Sequence, residues 1–473
     1  MLMASTACSS RSSGMPRDAH QESSEITAAG RSRNVSLRLQ RMLLITVYCA
    51  IACGPLIVAM LVDTRPPDPL VSRIGRMLAL LGLPILTLQP VLSARLKIVD
   101  RAFGLDAVYI FHKIMAMVAG SLLVAHPVVL ASANHWRLLT SFQLPWFITI
   151  GKIGLLALVV IILISLLQTQ IRLRYEQWRA THNVLACVIV TVGFVHSMNI
   201  GADLSNAVMR TIWITLAVLA AISYGWHKVI GPHYRRKHSF SIINVSRESH
   251  NVWTLKMATS DGTPCFSFHP GQFQFISFHS GSRQSEEHPF TISSSPDAPG
   301  FHSATIKESG DFTAAIGSVK PGDLVGIQGP FGRFSYCFYP EEHDMVFIAG
   351  GIGITPFMSM LRHMRDTASD NSVTLFYANR GEQDIVFRDE LNAIATGAHP
   401  RLKVVHVLSN AEPSWPGEKG RVTMDMIRRH VAELNPDKAF YICGSPVMMR
   451  RMIADLIKAG VRSAKVRAER FEL

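Results

Sequence analysis

The chain runs to 473 residues, 48% of them hydrophobic, which is too long for one domain and too apolar for an ordinary soluble protein. Its formal net charge of +13 raises the question of a nucleic-acid partner, but the positive residues flank apolar runs, which argues against one. Seven scattered cysteines form no Cys-x-x-Cys pair, so neither an iron–sulfur centre nor a disulfide framework is indicated.

Residues 1–41 are rich in Ser, Arg and small side chains and have no apolar run near the start. They read as a disordered cytoplasmic tail rather than a signal peptide. From Met42 six apolar runs follow, at 42–62, 74–94, 106–130, 146–168, 183–202 and 208–229. Each is close to the ~20 residues that a membrane span needs, so the region 42–230 is expected to be a six-helix bundle in lipid. Arg31, Arg33, Arg38 and Arg41 precede the first run. Arg95, Lys97 and Arg101 lie in the second connection, and Arg172, Arg174 and Arg179 in the fourth. Lys228, Arg235, Arg236 and Lys237 mark the exit. With six spans these clusters share one side, which places both termini in the cytoplasm. Arg65, Arg73 and Arg76 make the first opposite loop ambiguous. The run Tyr234–His238 reads as a membrane-edge anchor.

The third run carries His112 and His126, fourteen residues apart, and the fifth region carries His182 and His196 at the same spacing. Fourteen helical steps return to within about 40° of the starting direction and rise about 21 Å. Both rings of a helix therefore share a face, one toward each membrane surface. Polar groups inside a span are costly and default to function. Two facing imidazoles suit haem iron ligated from both sides. The two helices run in the same direction, so His112 pairs with His182 on the inner side and His126 with His196 on the outer side. The alternative is four helix-end or hydrogen-bonded core histidines; matched spacing of all four favours ligation. Lys113, Arg101 and Arg179 could meet haem propionates or snorkel to headgroups. Pro127 is expected to end or bend the third span near the outer site.

Past residue 238 the chain turns soluble-like. Residues 238–335 read as short antiparallel strands separated by Gly, Pro, Asp and Ser turns, which suggests a barrel. Two segments stand out there, His288-Pro-Phe-Thr-Ile-Ser-Ser-Ser295 and Ile306-Lys-Glu-Ser-Gly-Asp-Phe-Thr313. In the second, a glycine and a threonine near a helix start can offer backbone N–H groups and a hydroxyl to a phosphate. Residues 340–473 alternate strand and helix, the pattern of a parallel α/β sheet. The first strand runs into Gly350-Gly-Ile-Gly-Ile-Thr-Pro356 and then a helix. Backbone amides there can approach a pyrophosphate, although the loop is not Gly-x-Gly-x-x-Gly. Asn379-Arg380 ends the second strand, where an arginine can meet a ribose 2′-phosphate or simply face solvent. Cys443-Gly444 ends a later strand, at the crevice or as a buried inert thiol.

These residues together resemble the ferric reductase/NADPH oxidase superfamily, over about residues 105–473. The resemblance implies a six-span bundle with two b-type haems. It also implies an FAD-binding antiparallel β-barrel and a Rossmann-like α/β nucleotide-binding domain. It implies haem iron on His112, His126, His182 and His196. It implies FAD on His288, Pro289, Phe290, Thr291 and Ser294, with Phe290 and Thr291 against the isoalloxazine, and on Lys307, Gly310, Phe312 and Thr313. NADPH, or NADH, is implied at Gly350, Gly351, Gly353, Thr355 and Pro356, at Asn379 and Arg380, and at Cys443 and Gly444. Cys443 then lies near the nicotinamide, and Phe471 in Glu469-Arg-Phe471 stacks on the flavin and yields to nicotinamide. The family pattern is departed from at His288, where soluble ferredoxin reductases have arginine, and at Phe471, which two residues follow. No calcium-binding Asp-x-Asp-x-Asp-Gly loop occurs.

The expected activity is transfer of electrons from cytosolic NADPH through FAD and the two haems to O2, or to a ferric chelate. The setting is a bacterial-type inner membrane. Arg65, Arg73, His135 and Asn199 are candidate acceptor-side groups. A channel with a regulatory nucleotide domain also has six spans, but ionisable residues along a second path are few. A haem subunit relying on a separate reductase would lack the flavin and glycine motifs.

Overall fold

The computed structural model describes residues 19–62, 69–141, 143–200, 203–237, 239–280, 283–284 and 286–470. The first half is helical: α1 (Ala19–Val62), α2 (Leu70–Thr87), α3 (Gln89–Ser93), α4 (Lys97–Phe103), α5 (Leu105–Leu130), α6 (Arg137–Thr140), α7 (Trp146–Leu167), α8 (Tyr175–Ile200), α9 (Ala207–Gly225) and α10 (Gly231–Lys237). Among the described residues, six stretches are long and apolar enough to cross a membrane. They are Ser36–Leu61, Leu70–Ser93, Leu105–Ala133, Trp146–Leu167, Tyr175–Ile200 and Ala207–Arg235. The second is the most enclosed; the others turn most of their side chains outward, as apolar helices facing lipid can.

Two expectations are corrected. Residues 19–41 lie within α1. No proline interrupts 19–54, and Ala, Glu, Gln, Arg and Leu favour helix. The fifth helix begins at Tyr175, eight residues earlier than expected, so His182 lies two turns inside it. Pro127 does not end α5, which continues to Leu130 and into a wider π-turn at Ala131–His135. In an apolar surround no water replaces lost backbone bonds, so a proline costs one helical bond rather than the helix.

The second half holds two sheets. The first contains β1 (Phe240–Ser249), β2 (Val252–Thr259), β3 (Phe273–Ser280), β4 (Arg283–Gln284), β5 (His288–Thr291), β6 (His302–Lys307) and β7 (Leu324–Phe331), with the short α11 (Asp311–Ala314) before β7. It is antiparallel in the order β4-β3-β7-β1-β2-β6, with β5 paired to β3. Just past β5, Ile292 bridges Ala304 of β6, and the Ser293 N–H donates to the Ser303 carbonyl at 2.8 Å. The inward-facing Ile242, Leu255, Met257, Ile276, Ile306 and Val325 form its core, as alternating strands require.

The second sheet is parallel, in the order β11-β10-β9-β8-β12-β13. Its strands are β8 (Asp344–Gly350), β9 (Ser372–Asn379), β10 (Arg401–Leu408), β11 (Glu418–Lys419), β12 (Ala439–Cys443) and β13 (Val466–Glu469). Helices α12 (Thr355–Asp366), α13 (Arg388–Thr396), α14 (Met424–His430) and α15 (Pro446–Lys458) connect them. Buried residues fill both faces, and that double coverage explains the almost wholly apolar β8 and β12.

One buried carboxylate ties β13 to this sheet. Glu342 accepts both Arg467 Nη atoms, at 2.8 and 2.9 Å, Lys465 Nζ at 2.8 Å and the Tyr441 hydroxyl at 3.0 Å. Removing its charge would strand two cations away from water. Glu342→Gln is therefore expected to destabilise the chain by about 3–5 kcal/mol. Denaturant unfolding of the purified full-length protein measures it.

Candidate functional site

The membrane histidines fall on two levels. α5 packs along α2, and α8 along α7. His126 lies within electrostatic range of His196, and His182 within range of His112. The structure thus brings together the pairs expected from spacing. On the outer level, His126 Nδ1 lies 2.7 Å from the Gly75 carbonyl and His196 Nδ1 lies 2.7 Å from the Phe147 carbonyl. A carbonyl only accepts, so each Nδ1 carries the proton and each Nε2 keeps a lone pair. That is the tautomer and the second contact that metal-bound histidines have. Gly151 makes room for one ring: a Cβ there would lie 2.4 Å from the His196 imidazole. The donor set fits bis-histidine iron. On the inner level, the His182 ring lies tilted beside Trp178 at 5.2 Å between centroids, and its Nδ1 is 3.5 Å from Ser165 Oγ. Between the levels lies an apolar layer of Ala119, Leu123 and Val124 from α5 and Leu185, Ala186 and Ile189 from α8.

The inner level faces the antiparallel sheet. Leu105 and Tyr109, a turn or two before His112, pack on Phe273, Phe275 and Phe331. Asp100 of α4 accepts the Gly332 N–H at 3.3 Å, and Arg333 donates to the Arg101 and Ala102 carbonyls at 2.6 and 3.0 Å. A Cβ on Gly332 would lie 3.7 Å from Glu469 Oε1, so Gly332 sits between Asp100 and Glu469. Burial, then the charges of Asp106 and Asp100, push the Glu469 carboxyl well above the ordinary range. Phe471 lies outside the described residues; Glu469 brings its strand to this seam.

His288 opens β5 next to the start of α8. Its imidazole is lowered by burial and then by the Arg179 charge. It stacks on Phe312 at 3.8 Å, and Phe290 lies parallel to the same ring at 6.1 Å. The 288–295 and 306–313 segments therefore meet. Gly310 has φ +140°, and Thr313 Oγ1 accepts the Ser309 N–H at 2.7 Å. Lys307 ends β6 half-buried, Pro289 is half-buried and Thr291 is buried. Ser294 is buried, and its hydroxyl accepts the Ser303 N–H at 3.1 Å. Helix α12 docks on this loop: Ser359 donates to the Ser294 carbonyl at 2.7 Å and Arg362 to that of Ser293.

The glycine loop lies where β8 meets α12. Gly350 ends β8, Gly351 takes φ +53°, and Thr355 and Pro356 open the helix. A Cβ at Gly353 would lie 2.4 Å from the Cys443 carbonyl, so only glycine lets the β8 and β12 ends approach this closely. Gly444 sits beside Gly350 at the same crossing. Cys443 is fully buried, and burial, then Glu469, pushes its thiol well above the ordinary value. Asn379 is buried at the end of β9 and Arg380 beside it is exposed. Of the other candidates, Arg101, Lys113 and Arg73 are exposed, and Asn199 caps the Val195 carbonyl at 2.7 Å. Arg65 and the His135 side chain lie outside the described residues.

Three protein families match the chain in series. The ferric reductase like transmembrane component covers residues 76–193, the oxidoreductase FAD-binding domain 239–336 and the oxidoreductase NAD-binding domain 347–454. The chain has the ferric reductase/NADPH oxidase architecture. It is an oxidoreductase in which a membrane-embedded component is joined to FAD- and NAD(P)H-binding domains. Its second half is similar to NADH-cytochrome b5 reductases. It is 30% identical over 257 residues to NADH-cytochrome b5 reductase 1 of Meyerozyma guilliermondii, covering 53% of this chain and 90% of that one. It is 31% identical over 188 residues to NADH-cytochrome b5 reductase 2 of Mus musculus, covering 34% and 68%. The cytochrome b5 reductase domain of Ulva prolifera nitrate reductase aligns over 49% of this chain and 97% of that one, at 22% identity and TM-score 0.45.

Within this ferric reductase-like chain, sequence reading passed over the seam residues Asp100, Glu287 and Gly332. The signal for Glu287 was its place directly before the flavin motif. Burial raises the Asp100 carboxyl from 3.8 to about 6, against hydrogen bonds from the Gly332 and Leu105 amides. A folded value above the unfolded one means the unfolded chain releases its proton first. Stability from this group is then full below the unfolded value and falls until pH passes the folded one. Asp100→Asn, which keeps the acceptor for Gly332, is expected to remove that loss, on the order of 3 kcal/mol. Thermal unfolding of both proteins across mildly acidic pH would show the wild type losing more stability than the variant.

Proposed function

We propose that the chain moves electrons from NADPH through FAD and two b-type haems across the membrane to O2, giving superoxide. The observation that carries this reading is the outer histidine pair. Both Nδ1 protons are committed to backbone carbonyls of neighbouring helices, and both Nε2 atoms are left for metal. We further propose that the four histidines hold the haems, the 288–294 and 307–313 segments hold FAD, and the 350–356 loop receives the dinucleotide. When bound, FAD would accept a hydride and release electrons singly, and the haems would relay them between their edges.

The chain's own residues supply position and exclusion. His126 and His196 are oriented through Gly75 and Phe147. Residues 350–356 and 443–444 bring backbone amides to a pyrophosphate without a side chain in the way. Arg380, exposed just past β9, would meet a 2′-phosphate. A closed β-barrel is supported by the Ile292–Ala304 bridge. The positive-charge distribution supports cytoplasmic termini, and the reading sets the chain in a bacterial-type inner membrane. The second reading, delivery of the same electrons to a ferric chelate, is favoured by the ferric reductase like match over 76–193.

In reduced-minus-oxidised spectra, His126→Ala and His196→Ala are each expected to lose about half of the b-type signal, since either ring is needed at its level. Full signal in both variants overturns the reading. With NADPH on one face of sealed vesicles, external cytochrome c reduction abolished by superoxide dismutase identifies O2 as acceptor. Ferrous-chelate formation insensitive to that enzyme identifies iron. Arg380→Ala is expected to raise KM for NADPH about tenfold or more and leave that for NADH unchanged, the loss of one charge-assisted phosphate contact.

A further inference from the structure

Three side chains meet under the flavin motif. Glu287 Oε2 lies 2.6 Å from Arg95 Nη1, and its Oε1 lies 2.6 Å from Arg235 Nη2. Their side chains are only 9%, 12% and 13% exposed for Arg95, Glu287 and Arg235. Arg95 follows α3 in the turn before α4, Arg235 belongs to α10 at the end of the sixth span, and Glu287 directly precedes His288.

Arg95 does more than pair. Its Nη1 also donates to Gln328 Oε1 of β7 at 3.0 Å, and its Nε to the Tyr109 hydroxyl of α5 at 3.1 Å. Its guanidinium lies 3.5 Å from the centre of the Phe275 ring of β3. Its backbone is held at φ +53°, a conformation that non-glycine residues keep only when their surroundings enforce it. One side chain therefore touches β3, β7, α5 and the entry to β5. Burial works against the Glu287 charge, but Arg95 and Arg235 outweigh it and hold the carboxyl below its ordinary value.

A buried pair of this kind adds little net stability, because desolvation offsets attraction; breaking it on one side is costly. Its best-supported use is to fix register between surfaces. Here the surfaces are the flavin sheet and the membrane bundle. Tyr109, one turn from His112, shares the same guanidinium.

We propose that Arg95, Glu287 and Arg235 form a docking latch that fixes the flavin sheet against the inner histidine level, making them positioning residues for electron transfer between the halves. The proposal rests on the reading that this level holds a haem fed by the flavin. Electron transfer falls steeply with edge-to-edge distance, so a loosened sheet slows the second transfer and spares the first. The contacts that join the two sheets, Ser359 and Arg362 of α12 on the 293–294 backbone, are not made by the latch residues.

The test uses full-length protein in detergent, mixed anaerobically with NADPH, and follows flavin bleaching and haem reduction separately. Glu287→Gln and Arg95→Gln are expected to bleach flavin within about twofold of wild type and to reduce haem at least about tenfold more slowly. Glu287→Asp is expected to recover most of the rate. Hydrogen exchange at the Gly332 amide, which donates across the same seam to Asp100, is expected to quicken in the two Gln variants. Wild-type haem reduction in both Gln variants overturns the latch, and so does equal slowing of both phases. If wild type shows no haem bands, the proposed function fails instead. The Gly332 exchange then decides the latch alone: quicker exchange supports it, unchanged exchange overturns it.

Discussion

An imidazole inside a hydrocarbon layer must place its N–H somewhere. In His126 and His196 that requirement is met by two backbone carbonyls, 2.7 Å away, near the starts of α2 and α7. The arrangement depends on helix order. α5 and α8 approach the outer level with their C-terminal turns, and α2 and α7 begin there. The opposed directions put carbonyls of one pair beside rings of the other. A closely packed bundle is the precondition, and Gly151 shows how little space separates helix from ring.

The soluble half solves a different problem. It must hold two cofactor-binding sheets against each other and against the membrane. α12 does the first through Ser359 and Arg362 on the 293–294 backbone. The α3–α5 connection does the second through apolar rings, the Asp100–Gly332 hydrogen bond and the buried Arg95–Glu287–Arg235 cluster. β13, anchored by Glu342, brings Glu469 to the same seam.

Much of this is legible in the linear chain because it rests on local patterns. The histidine spacing, the alternating strands and the glycine loop each lie within a few dozen residues. Arg95 and Glu287 are 192 positions apart, and nothing local links them. Arg95 reads as one more positive charge at a membrane edge, since composition does not separate a cation facing headgroups from one buried under a sheet. Residues 19–41 read as a tail because their polarity masks good helix formers. Pro127 reads as a break because the rule for proline is learned in water, where a freed carbonyl finds another partner. The Phe312 stack on His288 joins segments that looked like separate weak motifs.

The layer of Ala119, Leu123, Val124, Leu185, Ala186 and Ile189 has a consequence for energetics. Each of these six side chains is apolar, so none of them offers an ion a polar step between the two histidine levels. An electron crossing there would move alone and leave its compensating charge behind. Turnover would then be electrogenic: each electron delivered outward would oppose the next, until a separate conductance returned the balance.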